Sequence, residues 1–300
     1  MLILSILIFL LSEVVPIDPV LMILGHQSTA EARAALTERM GPNRPLPERY
    51  TLWITHFVQG DWGKSYILGV DILPLVQRRL TNSLTLAILA LTIIIPVSLT
   101  MGIIAGLHEM RWPDRFISVS SLLTISIPDF LIGLLLILVF SWWLKLLPGD
   151  SSLLGDTVDL MKHWPKLVLP SLTASLVLIG YIARITRVSL IEVMASPYIR
   201  TAILKGLPYR TVVVRHALRN ALIAPIAVIS TQIPWLVGGL IVIERLFNYP
   251  GLGVLFADAA LRNDLPMIAA SSMVAVTLIV LSQGVADLLY AVLNPRIRFN

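Results

Sequence analysis

The sequence predicts an all-α, polytopic membrane protein with six transmembrane helices. Of its 300 residues, 56% are hydrophobic and only 14% are charged, whereas soluble domains carry about 45–50% apolar and about 25% charged residues. Because so few charges cannot cover the surface of a water-soluble chain of this length, much of the chain must use lipid as its solvent. The composition therefore excludes a disordered chain, a disulfide-stapled secreted module and an ordinary cytosolic enzyme.

Six long apolar runs carry this prediction. A lipid-spanning helix needs roughly 20 residues, with a range of about 17–25, and all runs but the first reach this length. The first run is interrupted by Glu13 and lacks the basic start and the cleavage site of a signal peptide. We therefore expect a first transmembrane helix that is short or that begins before residue 1. The runs are Met1–Val15, Leu84–Leu107, Phe116–Leu147, Leu167–Ala183, Ala221–Ile243 and Ile268–Leu293.

Lys and Arg are unevenly divided between the two sets of polar segments. Eleven lie in one set and five lie in the short loops of the other set. Cytoplasmic loops are enriched in Lys and Arg, so we predict that the first set and both termini lie in the cytoplasm. The net charge of +5 then reflects these loops, and no nucleic-acid partner is expected. The cytoplasmic segments are 108–115, 184–219 and 294–300, and the outer segments are 145–166, 244–268 and the long loop 16–80.

The long outer loop is predicted to contain two helices. Ser28-Thr29-Ala30-Glu31 forms a capping box before a helix over Ala32–Met40, which Gly41 ends. A second helix is predicted from Pro47 to Val58. One of its faces carries aromatic residues at three- and four-residue spacing, which we interpret as packing against the membrane-proximal surface rather than as a ligand site. These residues are Tyr50, Trp53 and Phe57.

Catalytic and metal-binding motifs were not found in the sequence. The chain has no cysteine, His108-Glu109 lacks the second histidine of a zinc motif, and no Gly-x-Ser-x-Gly elbow occurs. Gly63-Lys64-Ser65 resembles the end of a phosphate-binding loop, but Val58 stands where its first glycine would be. We therefore predict that this chain has no catalytic residue, no metal site and no bound cofactor.

Polar groups and prolines inside the apolar runs are candidates for a translocation path, because polar groups are costly in lipid. Asp129 follows Pro128 and either lines such a path or caps a proline-broken helix start, which is the interpretation we favour. Gln232 and Pro234 lie in the fifth run, where Pro225 and Pro234 favour a kinked, cavity-lining helix. Gly102 and Gly106 form a GxxxG pattern that permits close contact with another helix.

The loop between the fourth and fifth runs has the sharpest local signals in the chain. Ser196 and Pro197 predict a helix start, Lys205 favours the last turn, and Gly206 predicts the end. The result is a short basic helix between two transmembrane helices, which we interpret as a docking element rather than a solvated loop. Arg200 lies at its centre. We expect its contact with a partner to be formed by Tyr198, Ile199, Ala202 and Ile203.

Seven segments together carry a further pattern: 16–19, 59–65, 126–130, 196–207, 215–222, 244–253 and 287–296. They resemble the dipeptide/oligopeptide/nickel ABC importer permeases, specifically the permease with the long outer loop. The resemblance covers essentially the whole chain. Ile17 departs from the glycine of the family's Pro-Gly-Asp-Pro turn, and Arg200 replaces the glutamate of the general ABC-permease loop, as is usual in the peptide subfamily.

The resemblance implies a type I importer fold in a bacterial inner membrane. Residues 1–82 would hold the first helix and the outer loop, residues 83–293 the transmembrane domain with a coupling loop at about 190–220, and residues 294–300 a cytoplasmic tail. The implied partners are a second homologous permease, two cytoplasmic ATP-binding subunits that hold ATP and Mg, and an extracytoplasmic binding protein. Di- and oligopeptides are the leading substrates, and nickel chelates, glutathione, opines or other small solutes are alternatives.

The segment from Glu244 to Gly253 would lie at the outer mouth of such a permease. Its candidate residues for a gate or for contact with the binding protein are Glu244, Phe247, Pro250 and Gly251. A secondary transporter and an intramembrane enzyme are the alternatives from other classes. The first requires ion-coupling carboxylates or inverted repeats, and the second requires a nucleophile–base pair or a metal set, and the sequence shows none of these.

Overall fold

The computed structural model of the chain describes residues 2–14, 29, 31, 45–152, 158 and 160–293. Regular structure in these residues is helical, apart from one isolated antiparallel bridge between Lys64 and Asp71. This confirms the predicted all-α class. The predicted capping box at Ser28, its helix over Ala32–Met40 and the tail 294–300 lie outside the described residues.

The helices are numbered here in chain order. They are α1 (Leu2–Val14), α2 (Leu46–Val58), α3 (Ile72–Leu107), α4 (Trp112–Ser126), α5 (Asp129–Trp143), α6 (Leu160–Met194), α7 (Pro197–Leu204), α8 (Tyr209–Ala221), α9 (Ile223–Gly239), α10 (Ile241–Leu246), α11 (Leu252–Leu261) and α12 (Leu265–Leu293). The end of α5, Ile137–Trp143, and the middle of α8, Val212–Ala217, are π-helical.

Three helices in the described part of the chain are long and apolar enough to cross a membrane, namely α3, α6 and α12. The number rises to five if the bent pairs α4–α5 and α8–α9 each form one span. Each predicted apolar run overlaps a helix or a bent pair, but α1 has only 13 residues. The count of six spans therefore stays a prediction.

Two helices extend beyond the apolar runs that predict them. Helix α3 begins at Ile72, before the run Leu84–Leu107, and α6 extends from Leu160 to Met194 around the run Leu167–Ala183. In both cases the apolar run ends while the helix continues, because polar residues such as Gln77 and Arg78 retain good helix propensity. Hydropathy detects the part of a helix that lies in lipid, and it does not detect the turns that emerge from it.

The break between α4 and α5 has a local cause. The two helices differ in direction by 106°, and Ile127 between them has an extended backbone with φ −95° and ψ 128°. The ring of Pro128 disfavours helical geometry in the preceding residue and removes a backbone donor. The bend of 41° between α8 and α9 lies at Leu222, whereas α9 continues through Pro234 to Gly239.

By its internal contacts the chain divides into two parts. The first part combines Met1–Ser83 with Pro250–Leu278, and the second combines Leu84–Tyr249 with Ile279–Asn300. The first part contains a buried apolar core from α3, α11 and α12. Its buried members are Ile72, Val76, Leu252, Leu255, Ala259, Met267 and Ala270.

The aromatic face of α2 packs within this first part. Tyr50 and Trp53 contact Phe9 of α1, with ring centroids 5.5 and 5.8 Å apart, and Phe57 stacks on Trp62 at 4.5 Å. The stripe therefore packs against α1 and Trp62, and its predicted place at the membrane-proximal surface stays a prediction. Glu13, which interrupts the first apolar run, accepts a 2.7 Å hydrogen bond from Arg49 of α2.

The second part is organised around α6. Its main buried core joins α3, α6, α9 and α10, and a smaller core joins the end of α6 to α7 and α8. The GxxxG pattern of α3 lies directly on α6: a Cβ added at Gly102 would come within 2.6 Å of the Ala183 carbonyl oxygen, and one at Gly106 within 3.0 Å of Leu190. Small residues at these positions let the two backbones approach closely.

We predict that Gly102→Val strongly destabilises the second part of the chain. Its added side chain would meet backbone as well as the side chain of Thr186, and overpacking of this kind costs about 1–3 kcal/mol or more. Thermal unfolding in detergent measures the loss. Gly284→Val is the matched control, because nothing lies within 4 Å of an added Cβ there. Equal melting temperatures for the two variants would contradict the close contact.

Candidate functional site

The short basic helix predicted between the fourth and fifth apolar runs is α7. Ser196 precedes it with an extended backbone of φ −69° and ψ 149°, Pro197 is its first residue, and Lys205 follows its last residue. Proline fits this position because the first backbone donors of a helix have no intrahelical acceptor. The Ser196 hydroxyl does not cap α7; it donates to the Val193 carbonyl at 2.5 Å. Ser196 thus supports the end of α6 while its backbone turns into α7.

The end of α7 is set by Gly206, whose φ is +74°. The Gly206 N–H donates to Ile203 at 2.9 Å, and the Leu207 N–H donates to Ala202 at 3.4 Å. These two bonds form a Schellman motif, which satisfies carbonyls that the helix end would otherwise leave open. Nothing lies within 4 Å of an added Cβ at Gly206, so glycine is needed there for its backbone conformation and not for space.

The predicted contact face of α7 is partly wrong. Ile199 and Ala202 are 0% and 8% exposed, and they belong to the smaller core beneath the helix together with Leu190 and Val212. They bind α7 to its own chain and cannot contact a partner. Apolar spacing identified an amphipathic face correctly, but a short helix uses such a face first against the protein from which it projects.

The opposite face of α7 is open. Leu204 is 82% exposed and Ile203 is 51% exposed, while Arg200 and Thr201 are also exposed. Tyr198 is 43% exposed. This face combines a cation with apolar side chains that have no intramolecular contact to bury them, a composition typical of a protein-binding surface.

Two side-chain hydrogen bonds fix α7 and its neighbours to one another. Asn220 of α8 donates to the Tyr198 hydroxyl at 2.8 Å, and Ser189 of α6 donates to the Ala221 carbonyl at 2.8 Å. Together with the buried Ile199, they hold the end of α6, the whole of α7 and α8 as one packed group. A force applied to α7 would therefore reach both flanking helices.

An ion pair that the sequence analysis missed lies one turn from this group. Arg187 of α6 donates through Nε and Nη2 to both carboxylate oxygens of Asp114, the second bond measuring 2.8 Å. The carboxylate also accepts the Met110 N–H at 2.9 Å and the Ser118 hydroxyl at 3.2 Å. Asp114 is 3% exposed. It closes the turn between α3 and α4 and joins α4 to α6, and only its position beside a proline helix start hinted at a capping role.

The candidate residues of a translocation path lie in two helices, α5 and α9. Asp129 is the first residue of α5 and accepts the Phe130 N–H at 2.8 Å. This is the geometry of a proline-broken helix start, the interpretation that the sequence favoured. Gln232 and Pro234 are half-buried in α9. Whether these residues line a path stays a prediction.

The outer-mouth residues are mostly buried. Glu244 is 1% exposed and Phe247 is 0% exposed, Gly251 is buried, and Pro250 is half-buried. Burial of Glu244, Phe247 and Gly251 argues against contact with a binding protein, and the alternative role as a gate stays a prediction. Burial, and then the Glu244 carboxylate, raise the pKa of Tyr249 above its ordinary value.

A chain of hydrogen bonds joins the outer-mouth segment to the start of α6. The Ser151 N–H donates to the Phe247 carbonyl at 2.8 Å, and the Ser151 hydroxyl donates to the Lys166 carbonyl at 2.5 Å. Lys166 in turn donates from Nζ to the Ser152 carbonyl at 2.6 Å. Phe247 is thus held by the loop 150–152, which is itself bound to α6.

The segment that resembles a phosphate-binding loop has a structural role. Ser65 is buried and donates to the Asp264 carboxylate, which also accepts the Tyr66 N–H at 3.2 Å. Gly63 adopts φ +70° in this turn, and no helix begins after Ser65 before Ile72. Within the described ranges, no three His, Asp or Glu side chains are grouped closely enough to hold a metal ion.

Comparison with known proteins gives a consistent result over the whole chain. Residues 98–299 match the family model of the binding-protein-dependent transport system inner membrane component, and residues 1–87 match the model of the N-terminal part of this kind of membrane component.

Two relatives illustrate the similarity. The chain is 35% identical over 300 residues to the glutathione transport system permease protein GsiC of Escherichia coli (strain K12), with 99% of this chain and 94% of the relative covered. It is 34% identical over 302 residues to the glutathione transport system permease protein GsiC of Salmonella typhimurium (strain LT2), with 100% and 95% covered.

Proposed function

The chain belongs to the binding-protein-dependent transport system inner membrane components, in the dipeptide/oligopeptide/nickel group of ABC importer permeases, and from this we propose that it imports short peptides. The chain is a transmembrane permease subunit of such an importer. The family description implies a substrate-binding protein and ATPase subunits as partners.

The geometry of α7 is the observation that carries the mechanism. One face is buried against the chain at Ile199 and Ala202, and the other exposes Arg200 and Leu204. Such a helix can receive a movement on its outer face and pass it inward as a rigid body. We infer that the exposed face docks into an ATPase subunit, and that closure of the ATPases moves α6 and α8 together.

The other components of the proposed importer follow from the docking role of α7. A second homologous permease completes the path, and two ATPase subunits bind ATP and Mg and perform the hydrolysis. The permease itself supplies no catalytic residue. Phe247 and its buried neighbours form a gate at the outer mouth, and the binding protein contacts other, exposed residues there.

The substrate follows from chemistry that the family and the relatives share. The relatives are named for glutathione, which is a tripeptide, and the group includes di- and oligopeptide importers. We propose short peptides as the substrate class and glutathione as the first member to test. Nickel chelates and opines are the alternatives within the same architecture.

Reconstitution tests the proposal directly. The chain, the second permease, both ATPases and the binding protein are placed in vesicles, and uptake of labelled dipeptide, glutathione and a nickel chelate is measured with and without ATP. We expect uptake of a peptide to require ATP and the binding protein, and ATP hydrolysis to rise when the binding protein is loaded. The purified chain alone should not hydrolyse ATP.

Two outcomes would overturn the proposal that the chain is a permease subunit of an ATP-driven importer. Uptake by the chain alone that follows an ion gradient and ignores ATP would make it a secondary transporter. ATP hydrolysis by the isolated chain, after contaminating ATPases have been excluded, would make it an enzyme. Uptake of a nickel chelate but of no peptide would leave the importer standing and replace the substrate.

We predict that α7 lies in the cytoplasm and that α2 and α11 lie outside. The chain has no native cysteine, so single cysteines report position cleanly. Val58, Leu261 and Leu204 are 79%, 73% and 82% exposed and accept labels without disrupting a core. An impermeant thiol reagent should label Val58→Cys and Leu261→Cys in intact cells, and should label Leu204→Cys only after the cells are opened. Labelling of Leu204→Cys in intact cells would reverse the orientation.

A further inference from the structure

A cavity of about 310 Å³ lies between α4 and α6 in the second part of the chain. Its volume is near the lower end of the range of about 300–1,000 Å³ found for small-molecule sites. The helices touch closely on one side of it, where a Cβ added at Gly180 would come within 2.9 Å of the Ser121 carbonyl oxygen. On the other side the Asp114–Arg187 pair joins them. The cavity therefore lies between two contacts that hold α4 and α6 together, the close approach at Gly180 and the Asp114–Arg187 ion pair.

The cavity carries an uncompensated positive charge. Arg184 and Arg187 both line it, but Arg187 is neutralised by Asp114. Arg184 has no hydrogen bond or ion pair with the residues that the structure describes. Glu109 acts electrostatically on Arg187 and does not line the cavity. The site therefore favours an anion, and Arg184 is the cation that would bind it.

A second polar group in the cavity wall lacks a partner. Ser121 is 2% exposed, and among the described residues its hydroxyl has no hydrogen bond. The neighbouring Ser118 hydroxyl already donates to Asp114. A buried hydroxyl without a partner costs free energy, and a serine hydroxyl rotates about one torsion to reach an acceptor. An anion with oxygen acceptors would remove this cost.

The surface beside the cavity is apolar and belongs to α4. Phe116, Val119 and Leu123 are 59%, 56% and 59% exposed, and Trp112, 74% exposed, stacks on Phe116 with ring centroids 5.5 Å apart. Tryptophan at the start of a membrane helix marks the level at which lipid headgroups meet the hydrocarbon. The cavity thus lies near headgroup level, and a lipid-facing stripe begins next to it.

We propose that this cavity binds the phosphate of a phospholipid headgroup, with Arg184 as its counter-ion and the Ser121 hydroxyl as a donor. The acyl chains then lie along Phe116, Val119 and Leu123. A phosphodiester supplies both the negative charge that Arg184 attracts and the acceptor oxygens that Ser121 needs, and the adjacent apolar stripe suits a lipid rather than a free anion.

The experiment uses the full chain, purified in detergent with the subunits that copurify with it and stripped of lipid. Phosphatidylglycerol, a phosphate-free glycolipid and inorganic phosphate are each added, and bound lipid is counted by native mass spectrometry beside the melting temperature. We expect phosphatidylglycerol to bind and raise the melting temperature, and the other two to have little effect. Arg184→Gln should weaken phosphatidylglycerol binding about tenfold, whereas Arg111→Gln, an exposed arginine outside the cavity, should not.

Ser121→Ala separates binding from folding. It removes the unpartnered hydroxyl, so the lipid-free protein should be at least as stable as wild type, while the gain in melting temperature on adding phosphatidylglycerol should shrink. Equal binding by Arg184→Gln and Arg111→Gln would overturn the proposal. So would stabilisation by inorganic phosphate equal to that by the lipid, which would make this a free-anion site. A crosslink from Ser118→Cys to another subunit would show that a protein fills the cavity and would also overturn it.

Discussion

Asp114→Ala is expected to prevent the stable assembly of this permease. Asp114 is 3% exposed, and its loss leaves Arg187 without a carboxylate partner and removes the acceptor of the Met110 N–H. Removing one member of a buried ion pair costs about 3–5 kcal/mol, and because the remaining Arg187 side chain is 24% exposed we expect the lower part of this range, which is still a large share of the total stability of a protein. We expect a fall in melting temperature, and loss of transport in whatever protein remains.

The control for this prediction is a solvent-exposed Lys–Asp ion pair. Lys64 and Asp71 lie 3.9 Å apart and are 71% and 69% exposed, so Asp71→Ala should cost less than about 1 kcal/mol. The double variant Asp114→Ala, Arg187→Ala should recover part of the loss, because it removes the unpaired charge. A wild-type melting temperature for Asp114→Ala would show that the pair does not hold α4 against α6.

Gly206→Val is expected to uncouple transport from the ATPases. At φ +74° a β-branched residue is strained, and the left-handed conformation costs an ordinary residue about 1–2 kcal/mol. Relief of that strain breaks the Schellman bonds and changes the direction in which the chain leaves α7 towards α8. Peptide uptake and the hydrolysis stimulated by loaded binding protein should both fall about fivefold or more, while membrane insertion stays normal.

Gly206→Asn isolates the backbone from the side chain. Both substitutions have room, since nothing lies within 4 Å of an added Cβ, but asparagine tolerates positive φ better than valine does. We expect Gly206→Asn to transport nearly as well as wild type. A crosslink to the ATPase should form from Leu204→Cys and not from the buried Ala202→Cys. If Gly206→Val transports normally and Leu204→Cys gives no crosslink, the loop serves only topology.

Local signals predicted local structure well. Pro197 and Gly206 place α7 by rules that concern a few neighbouring residues, and Pro128 breaks the α4–α5 pair for an equally local reason. The class of the chain followed from composition, and the family from motifs spread along it. These features are encoded within a few residues or in the average over all of them.

Features that depend on distant contacts escaped the sequence analysis. Asp114 and Arg187 are 73 residues apart, and nothing in either neighbourhood indicates the other. The burial of Ile199 could not be separated from exposure, because an apolar face fits a partner and the chain's own core equally well. Glu244 and Phe247 are predicted to form a gate or a contact with the binding protein, and their sequence neighbourhood does not indicate that they are buried. Which of two apolar environments a residue meets is decided by tertiary packing.

Helix α6 has a mechanical consequence. It has 35 residues and is therefore about 52 Å long at about 1.5 Å per residue, well beyond the roughly 30 Å of a bilayer's hydrocarbon. One end carries α7, and the other is hydrogen-bonded through Ser151 to Phe247. Such a helix is a lever: a tilt of about 5° about one end displaces the other by about 4–5 Å. A small rotation at the α7 end thus becomes a displacement comparable to the width of a side chain at the Phe247 end.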